Sequence, residues 1–208
     1  MRVLVACEES QVVCTAFRKL GHEAYSCDIS EPSGGHPEWH LKVDALELLK
    51  MKWDLLIAHP PCTFMSKAGA RWMYPRAGEL NPERYAQAMR AKEFFMKFLN
   101  ADCPRICVEN PRPLKIVGLP PPTQVIQPYE YGHPYSKATC LWLRGLPPLL
   151  PTNVLAEHTP FLPSNTGAFS KGGGGSRGIA HDAKTASKTF SGIGQAMATQ
   201  WGGDCLCK

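Results

Sequence analysis

The first apolar run, "RVLVA" (Arg2–Ala6), does not alternate, which is the pattern of a strand buried on both faces of a parallel sheet. After the polar "CEES", Val12, Val13, Ala16 and Phe17 recur at helical spacing. This predicts a helix over 11–20, capped by Ser10 and ended by Gly21. "HEAYSCD" alternates into a second strand that stops at Asp28. Strand, helix and strand in so short a span make a right-handed parallel βαβ unit the economical topology.

The pattern then repeats with longer loops. "EPSGGHPEWH" is a loop by composition, "DALELLK" a short helical turn and "WDLLIA" the next buried strand. Asn81-Pro82-Glu83 combines a capping side chain, proline at the first position and an acid in the first turn, predicting a helix to about Leu99. "RICVENP" is a further buried strand stopped by proline, and "TQVIQ" and "KATCLWL" are later strands around the turn "PYEYGHPYS". Beyond Leu143 the chain becomes proline-rich, then glycine-rich over 170–178, and between Phe161 and Gln200 Lys171, Arg177, Lys184 and Lys188 stand against one acid, Asp182. "TFSGIGQAMATQWG" reads as a turn and a closing helix.

Composition narrows the class. A chain of 208 residues suits one domain with a full core, and a net charge of +5 is compatible with nucleic acid without requiring it. Glu8 and Glu9 interrupt the opening apolar run, so it is expected to be neither a signal peptide nor a membrane anchor. The nine cysteines contain no Cys-x-x-Cys, and the expectation is reduced thiols in a cytoplasmic protein, Cys205 and Cys207 at the tail included.

In open parallel sheets ligands collect beyond the carboxyl ends of the strands. The Cys7-Glu8-Glu9-Ser10 turn, Asp28, Cys62 and Glu109 all fall at such ends. Cys62 is mounted on Pro60 and Pro61 in the polar loop "HPPCTFMSKAGARW", an expensive setting for a packing thiol and a suitable one for a nucleophile. Arg71 and Trp72, close behind it, are candidates for touching nucleic acid, whereas Trp39, Trp53, Trp142 and Trp201 are expected in the core.

Pro61-Cys62-Thr63-Phe64-Met65-Ser66-Lys67-Ala68-Gly69 resembles the catalytic loop of the cytosine-5 DNA methyltransferases, Pro-Cys-Gln-x-Phe-Ser-x-Ala-Gly, with Thr63 and Met65 departing from it. Val108-Glu109-Asn110-Pro111 is similar to that family's Glu-Asn-Val motif, and "GIGQAMATQWG" to its final motif. The likeness is greatest to short phage and prophage members. It implies an α/β, Rossmann-like, S-adenosylmethionine-dependent methyltransferase fold: a mostly parallel sheet with helices on both faces. It implies a catalytic core over 1–145, a proline- and glycine-rich basic insertion or reduced target-recognition segment over 146–184, and a closing motif and helix packing back on the core over 185–208. Cys62 would add to C6 of a flipped cytosine, Glu109 would hold N3, and Lys137 would stand where the family has an arginine. The cofactor would meet Cys7, Glu8, Glu9, Ser10, Asp28, Asp44, Pro60 and Gly194, its carboxylate lying at the amino end of the first helix. DNA would meet Ser66, Lys67, Gly69, Arg71 and Asn110. No metal is implied, and the short middle segment leaves room for a protein partner that supplies target specificity.

Cytosine requires a protonated Glu109, and therefore a carboxyl raised by a dry pocket; an ionised one suits the N3–H of uracil. The glycine-rich turn of the family is replaced here by Cys-Glu-Glu-Ser, which leaves a different cofactor open. It also leaves open a non-catalytic nucleic-acid- or nucleotide-binding protein of bacteriophage–host modification or defence. A zinc deaminase fails because Met65 stands where its second cysteine belongs, and a Cys–His hydrolase using His59 or His133 lacks anything in the sequence that orients the histidine.

Overall fold

The structure, a computed structural model, describes residues 1–161, 185 and 187–203. The glycine-rich stretch 170–178, Lys171, Arg177, Asp182, Lys184, Cys205 and Cys207 lie outside the described residues. Strands β1 (Arg2–Ala6), β2 (Glu23–Cys27), β3 (His40–Leu41), β4 (Leu55–Ala58), β5 (Ile106–Pro111), β6 (Gln124–Ile126) and β8 (Thr139–Arg144) form a seven-stranded sheet in the order β3-β2-β1-β4-β5-β8-β6. The first five in that order pair in parallel and β8 runs antiparallel to both its neighbours. A separate two-stranded sheet joins β7 (Tyr135–Ser136) to β9 (Thr159–Pro160).

Residue parity along β1 and β4 selects the layer, because successive side chains on a strand face opposite ways. Leu4, Ala6, Leu56 and Ala58 pack with Phe95 and Phe98 of α4 (Pro82–Leu99), beside α2 (Ala45–Leu48). Val3, Val5, Leu55 and Ile57 pack with Val13 and Phe17 of α1 (Val12–Lys19) and with Ile193, Met197 and Trp201 of α5 (Ser191–Gly202). Helices therefore cover both faces, and this is an α/β, Rossmann-like architecture. A short α3 (Ala70–Met73) follows the Cys62 loop.

Asn81 caps α4 as expected, its Oδ1 accepting the Arg84 N–H at 3.0 Å. The cap of α1 is a correction. Ser10 makes no such bond; the helix starts one residue later, at Val12, after Gln11 in the left-handed region (φ 57°). The Glu8 carboxylate caps it instead, accepting from Val13 N–H at 2.7 Å and Cys14 N–H at 3.2 Å. Cys7 is also left-handed (φ 59°), so the turn takes a glycine-type path with side chains in place.

Glu8 is buried, and burial pushes its carboxyl up against the opposing pull of His59 and of the two backbone bonds. Glu8→Ala is expected to lower stability by about 1–2 kcal/mol, because two buried N–H groups lose their acceptor, and Glu8→Gln by less. Chemical denaturation of the two variants checks this.

Candidate active site

The strand order reverses between β1 and β4, which opens a crevice at their carboxyl ends. Register decides what stands there. Ala6 pairs with Ala58 and Ala58 with Val108, so the residues just beyond them come side by side: Glu8 after β1, His59 after β4 and Glu109 on β5. The His59 N–H donates to Ala6 O at 2.9 Å, fixing the first of these joins. His59 Nδ1 lies 3.0 Å from Glu109 Oε2, with both side chains close to nine-tenths buried.

The Cys62 loop is tied down on the same edge. Asn110 Nδ2 donates to Pro60 O at 2.6 Å, Lys67 N–H to Arg112 O at 2.9 Å and Leu114 N–H to Met65 O at 2.7 Å. These bonds leave Cys62 half-buried rather than walled in. Burial raises its thiol, the Glu109 charge raises it further, and Lys137 opposes both. Lys137 enters from the segment before β8, its N–H donating to Gln127 Oε1 at 2.9 Å and its ammonium to Lys188 O at 3.3 Å. Burial lowers the Lys137 ammonium, while Glu109 and Cys62 hold it up. Cys62, Glu109 and Lys137 thus share one electrostatic neighbourhood, with His59 as its fourth member.

Of the two states left open for the Glu109 carboxyl, the structure favours the ionised one. Burial does push it up, but the hydrogen bond to His59, the charge of His59 and that of Lys137 outweigh burial and hold it below the usual range. Burial likewise pulls His59 down, and Glu109 and Glu8 together carry it above the ordinary imidazole range. Each partner thus favours the charged form of the other. His59 was open to sequence reasoning only as half of a Cys–His pair; what orients it is Glu109, and the thiol of Cys62 makes no bond to it among the described residues.

A cavity of about 70 Å³ lies at the end of β1, lined by Cys7, Glu8, Glu9, Ser10, His59, Ser187, Lys188 and Thr189. Lys188 Nζ also reaches Ser33 Oγ at 3.4 Å. Pro60 is buried, next to His59. Asp28, half-buried just past β2, accepts the Ser30 N–H at 2.8 Å, and Asp44 caps α2 through the Leu46 N–H at 3.0 Å. Next to these acids in the chain two apolar side chains face outward, Ile29 at 75% and Val43 at 37% exposure. Sequence reasoning missed both, and an apolar residue adjoining an acid past a strand end, Ile29 after Asp28 and Val43 before Asp44, was the available signal.

Exposed apolar side chains adjoining carboxylates suit a nucleoside, whose flat base takes the apolar surface and whose hydroxyls take the acids. At the other end, the α1 N–H groups expected for a cofactor carboxylate already belong to Glu8. Lys188 is the cation left at that end of the cavity among its described lining.

Gly194 is buried, and a Cβ there would meet Val12 O and Val13 Cα at 3.4 Å, an ordinary contact between α5 and α1. Ser66 and Asn110 are buried ties of the loop; Ser66 bridges to Pro113 and Asn110 holds Pro60. Gly69 lies half-buried against Arg84 and Thr63. Lys67 and Arg71 do face solvent, and the Arg71 guanidinium stands 4.6 Å over the ring of Trp72, which is 56% exposed.

No family model matches the chain, and no curated protein matches it. Among solved structures it is similar to a protein titled a DNA modification methyltransferase encoded within a prophage, from E. coli. The identity there is 14% and the TM-score 0.42, over 69% of this chain and 46% of that one. It is also similar to a substituted form of DNMT2 from Spodoptera frugiperda, with 15% identity and a TM-score of 0.38 over 78% of this chain and 55% of that one. The chain therefore spans about half the length of these structures. Likeness at this level bears on neither activity nor substrate; the chain's own strand order is that of a Rossmann-like α/β sheet with a thiol and an acid near its switch point. No helix among the described residues is long and apolar enough to cross a membrane.

Proposed function

We propose that the chain is a DNA (cytosine-5-)-methyltransferase that uses S-adenosylmethionine and a covalent Cys62 adduct. The observation that supports this most is the grouping of a half-buried Cys62 with Glu109 and Lys137 beside the crevice between β1 and β4. The Cys62 thiolate adds to C6, and the C5–C6 electron pair moves through C4 onto N3, where Glu109 delivers a proton. Lys137 lowers the cost of the thiolate and of charge on the ring oxygen, as a point charge without the fork of arginine. Asp28, Ile29, Val43 and Asp44 hold the nucleoside part of the cofactor, and Lys188 with Glu9 receives its amino-acid part. When bound, the cofactor supplies an electrophilic methyl group for C5. Elimination of Cys62 follows loss of the C5 proton.

On this reading residues 1–145 are the catalytic core, 146–184 the reduced target-recognition segment and 185–208 the closing motif. Lys67, Arg71 and Trp72 present two cations and a flat ring next to the Cys62 loop, a surface suited to phosphate and an unstacked base. A protein partner supplies whatever target specificity so short a middle segment lacks, and the protein works in a reducing cytoplasm.

The test is transfer of labelled methyl from S-adenosylmethionine to cytosine DNA, with 5-methylcytosine identified after nucleoside digestion. Label on C5 supports the reading; cofactor binding with no labelled base rejects it. The rival, a binding protein that keeps the fold, is favoured by one observation: Glu8 fills the helix end where the cofactor carboxylate belongs. Calorimetry separates them. Cofactor binding that weakens in Asp28→Ala supports the enzyme, and DNA binding indifferent to cofactor supports the rival.

A further inference from the structure

The catalytic reading needs Glu109 to give cytosine N3 a proton, yet the structure surrounds that carboxylate with cations. His59 Nδ1 is 3.0 Å from Oε2, and Lys137 adds its charge from the segment before β8. The thiols of Cys62, Cys107 and Cys140 are the other titratable groups that feel Glu109. His59 is held between two carboxylates, Glu109 on β5 and Glu8 on the β1–α1 turn, with Lys137 opposing them. Glu9 and Lys188 line the cavity that His59 also borders. Its second ring nitrogen, Nε2, is buried with no hydrogen-bond partner among the described residues. A buried imidazole nitrogen left bare is costly unless the ring has a task that needs its proton free to come and go.

Resting on the proposed pyrimidine chemistry, we propose that His59 is the positioning residue that sets the proton count of the base slot. By donating Nδ1–H to Glu109 Oε2 it keeps Glu109 a hydrogen-bond acceptor, so cytosine enters with uptake of one proton and uracil with none. For uracil the N3–H donates directly to Glu109, and after Cys62 adds to C6 the displaced electron pair rests on O4. For cytosine an O–H must first form on Glu109; it breaks as N3–H forms, and the electron pair displaced by sulfur ends on N3. The same protein therefore discriminates between the two rings through pH, with His59 as the element that sets where the crossover falls.

Exchange of the C5 hydrogen reads this without cofactor, because addition of Cys62 at C6 makes C5 basic enough to pick up a solvent proton. The full chain is incubated with matched oligodeoxynucleotides carrying [5-3H]cytosine or [5-3H]uracil, and tritium release is followed across neutral pH. Both rings need the same thiolate, so its titration cancels in the ratio of the two rates. The cytosine-to-uracil ratio is expected to fall about tenfold per pH unit above the carboxyl range, the slope of one proton. His59→Asn removes the cation, leaves burial to push Glu109 up, and moves that fall to higher pH; at neutral pH the ratio rises about tenfold for each unit that Glu109 climbs. A ratio independent of pH in the native chain overturns the inference, as does a folded His59→Asn with an unmoved profile. If His59→Asn does not fold, the native ratio alone decides. Exchange from neither base would overturn the functional reading along with it.

Discussion

Replacing Cys62 with serine is expected to abolish the denaturation-resistant complex that the native chain forms with 5-fluorocytosine DNA and S-adenosylmethionine. Fluorine cannot leave C5 as a proton does, so the covalent intermediate persists once methyl has been transferred. A serine hydroxyl ionises far less readily than a thiol and carries no polarisable sulfur for addition to C6. Methyl transfer should fall by on the order of 10⁴ or more, the scale on which loss of a covalent nucleophile acts. The fold should barely notice. Cys62 is half-buried and the loop is held by the bonds of Asn110, Lys67 and Leu114, so a stability change within about 1 kcal/mol is expected. An unchanged adduct in this variant would remove Cys62 from the mechanism.

Glu109→Gln carries the second large effect. It deletes the proton donor to N3 and the anionic partner of His59 together. Methylation of cytosine should fall roughly 10²- to 10⁴-fold, the usual contribution of a positioned acid, with the loss in kcat rather than in DNA affinity. Stability should fall too, and in a defined pH window. Glu109 is held below the ordinary carboxyl value, so its contribution is fully present above about pH 4.3 and disappears as pH falls through the lowered value. His59 is held above the ordinary imidazole value, so its contribution is fully present below about pH 6.5 and disappears as pH rises through the raised value. The gap in stability between native and Glu109→Gln should therefore be widest between those two pH values and narrow on either side. Denaturant midpoints measured across pH report it. A gap that grows steadily to high pH would mean that His59 is not charged against Glu109.

Most of the scaffold was legible because its signals are local. The unbroken apolar runs of β1 and β4, the Asn81-Pro82 start of α4 and the proline stop of β5 each lie within a few residues. Strands of two residues, β3, β7 and β9, carry no period to read and exist only because neighbours pair with them. The cap of α1 was assigned to Ser10 by the usual residue preference, but left-handed Gln11 and the reach of Glu8 decided it. Neither is visible without the turn.

The site divides in the same way. The mounting of Cys62 on two prolines is a local signal, and the sequence placed it and Glu109 at strand ends. The partner of Glu109 was hidden because His59 and Glu109 are 50 residues apart and meet through the pairing of Ala58 with Val108. That unseen contact decides the state of the carboxyl, which burial alone would have raised. The bridge of Ser66 to Pro113 was hidden for a related reason, because it joins residues 47 apart in the chain.

The account rests on Cys62 being the atom that joins the base. Trapping the native chain on 5-fluorocytosine DNA, digesting protein and DNA, and locating the adduct by peptide mass spectrometry tests it most directly. The predicted result is a methylated fluorocytosine nucleotide on the peptide that contains Cys62 and on no other of the nine cysteines. An adduct on a different cysteine, or none while methylated cytosine still accumulates, would contradict it.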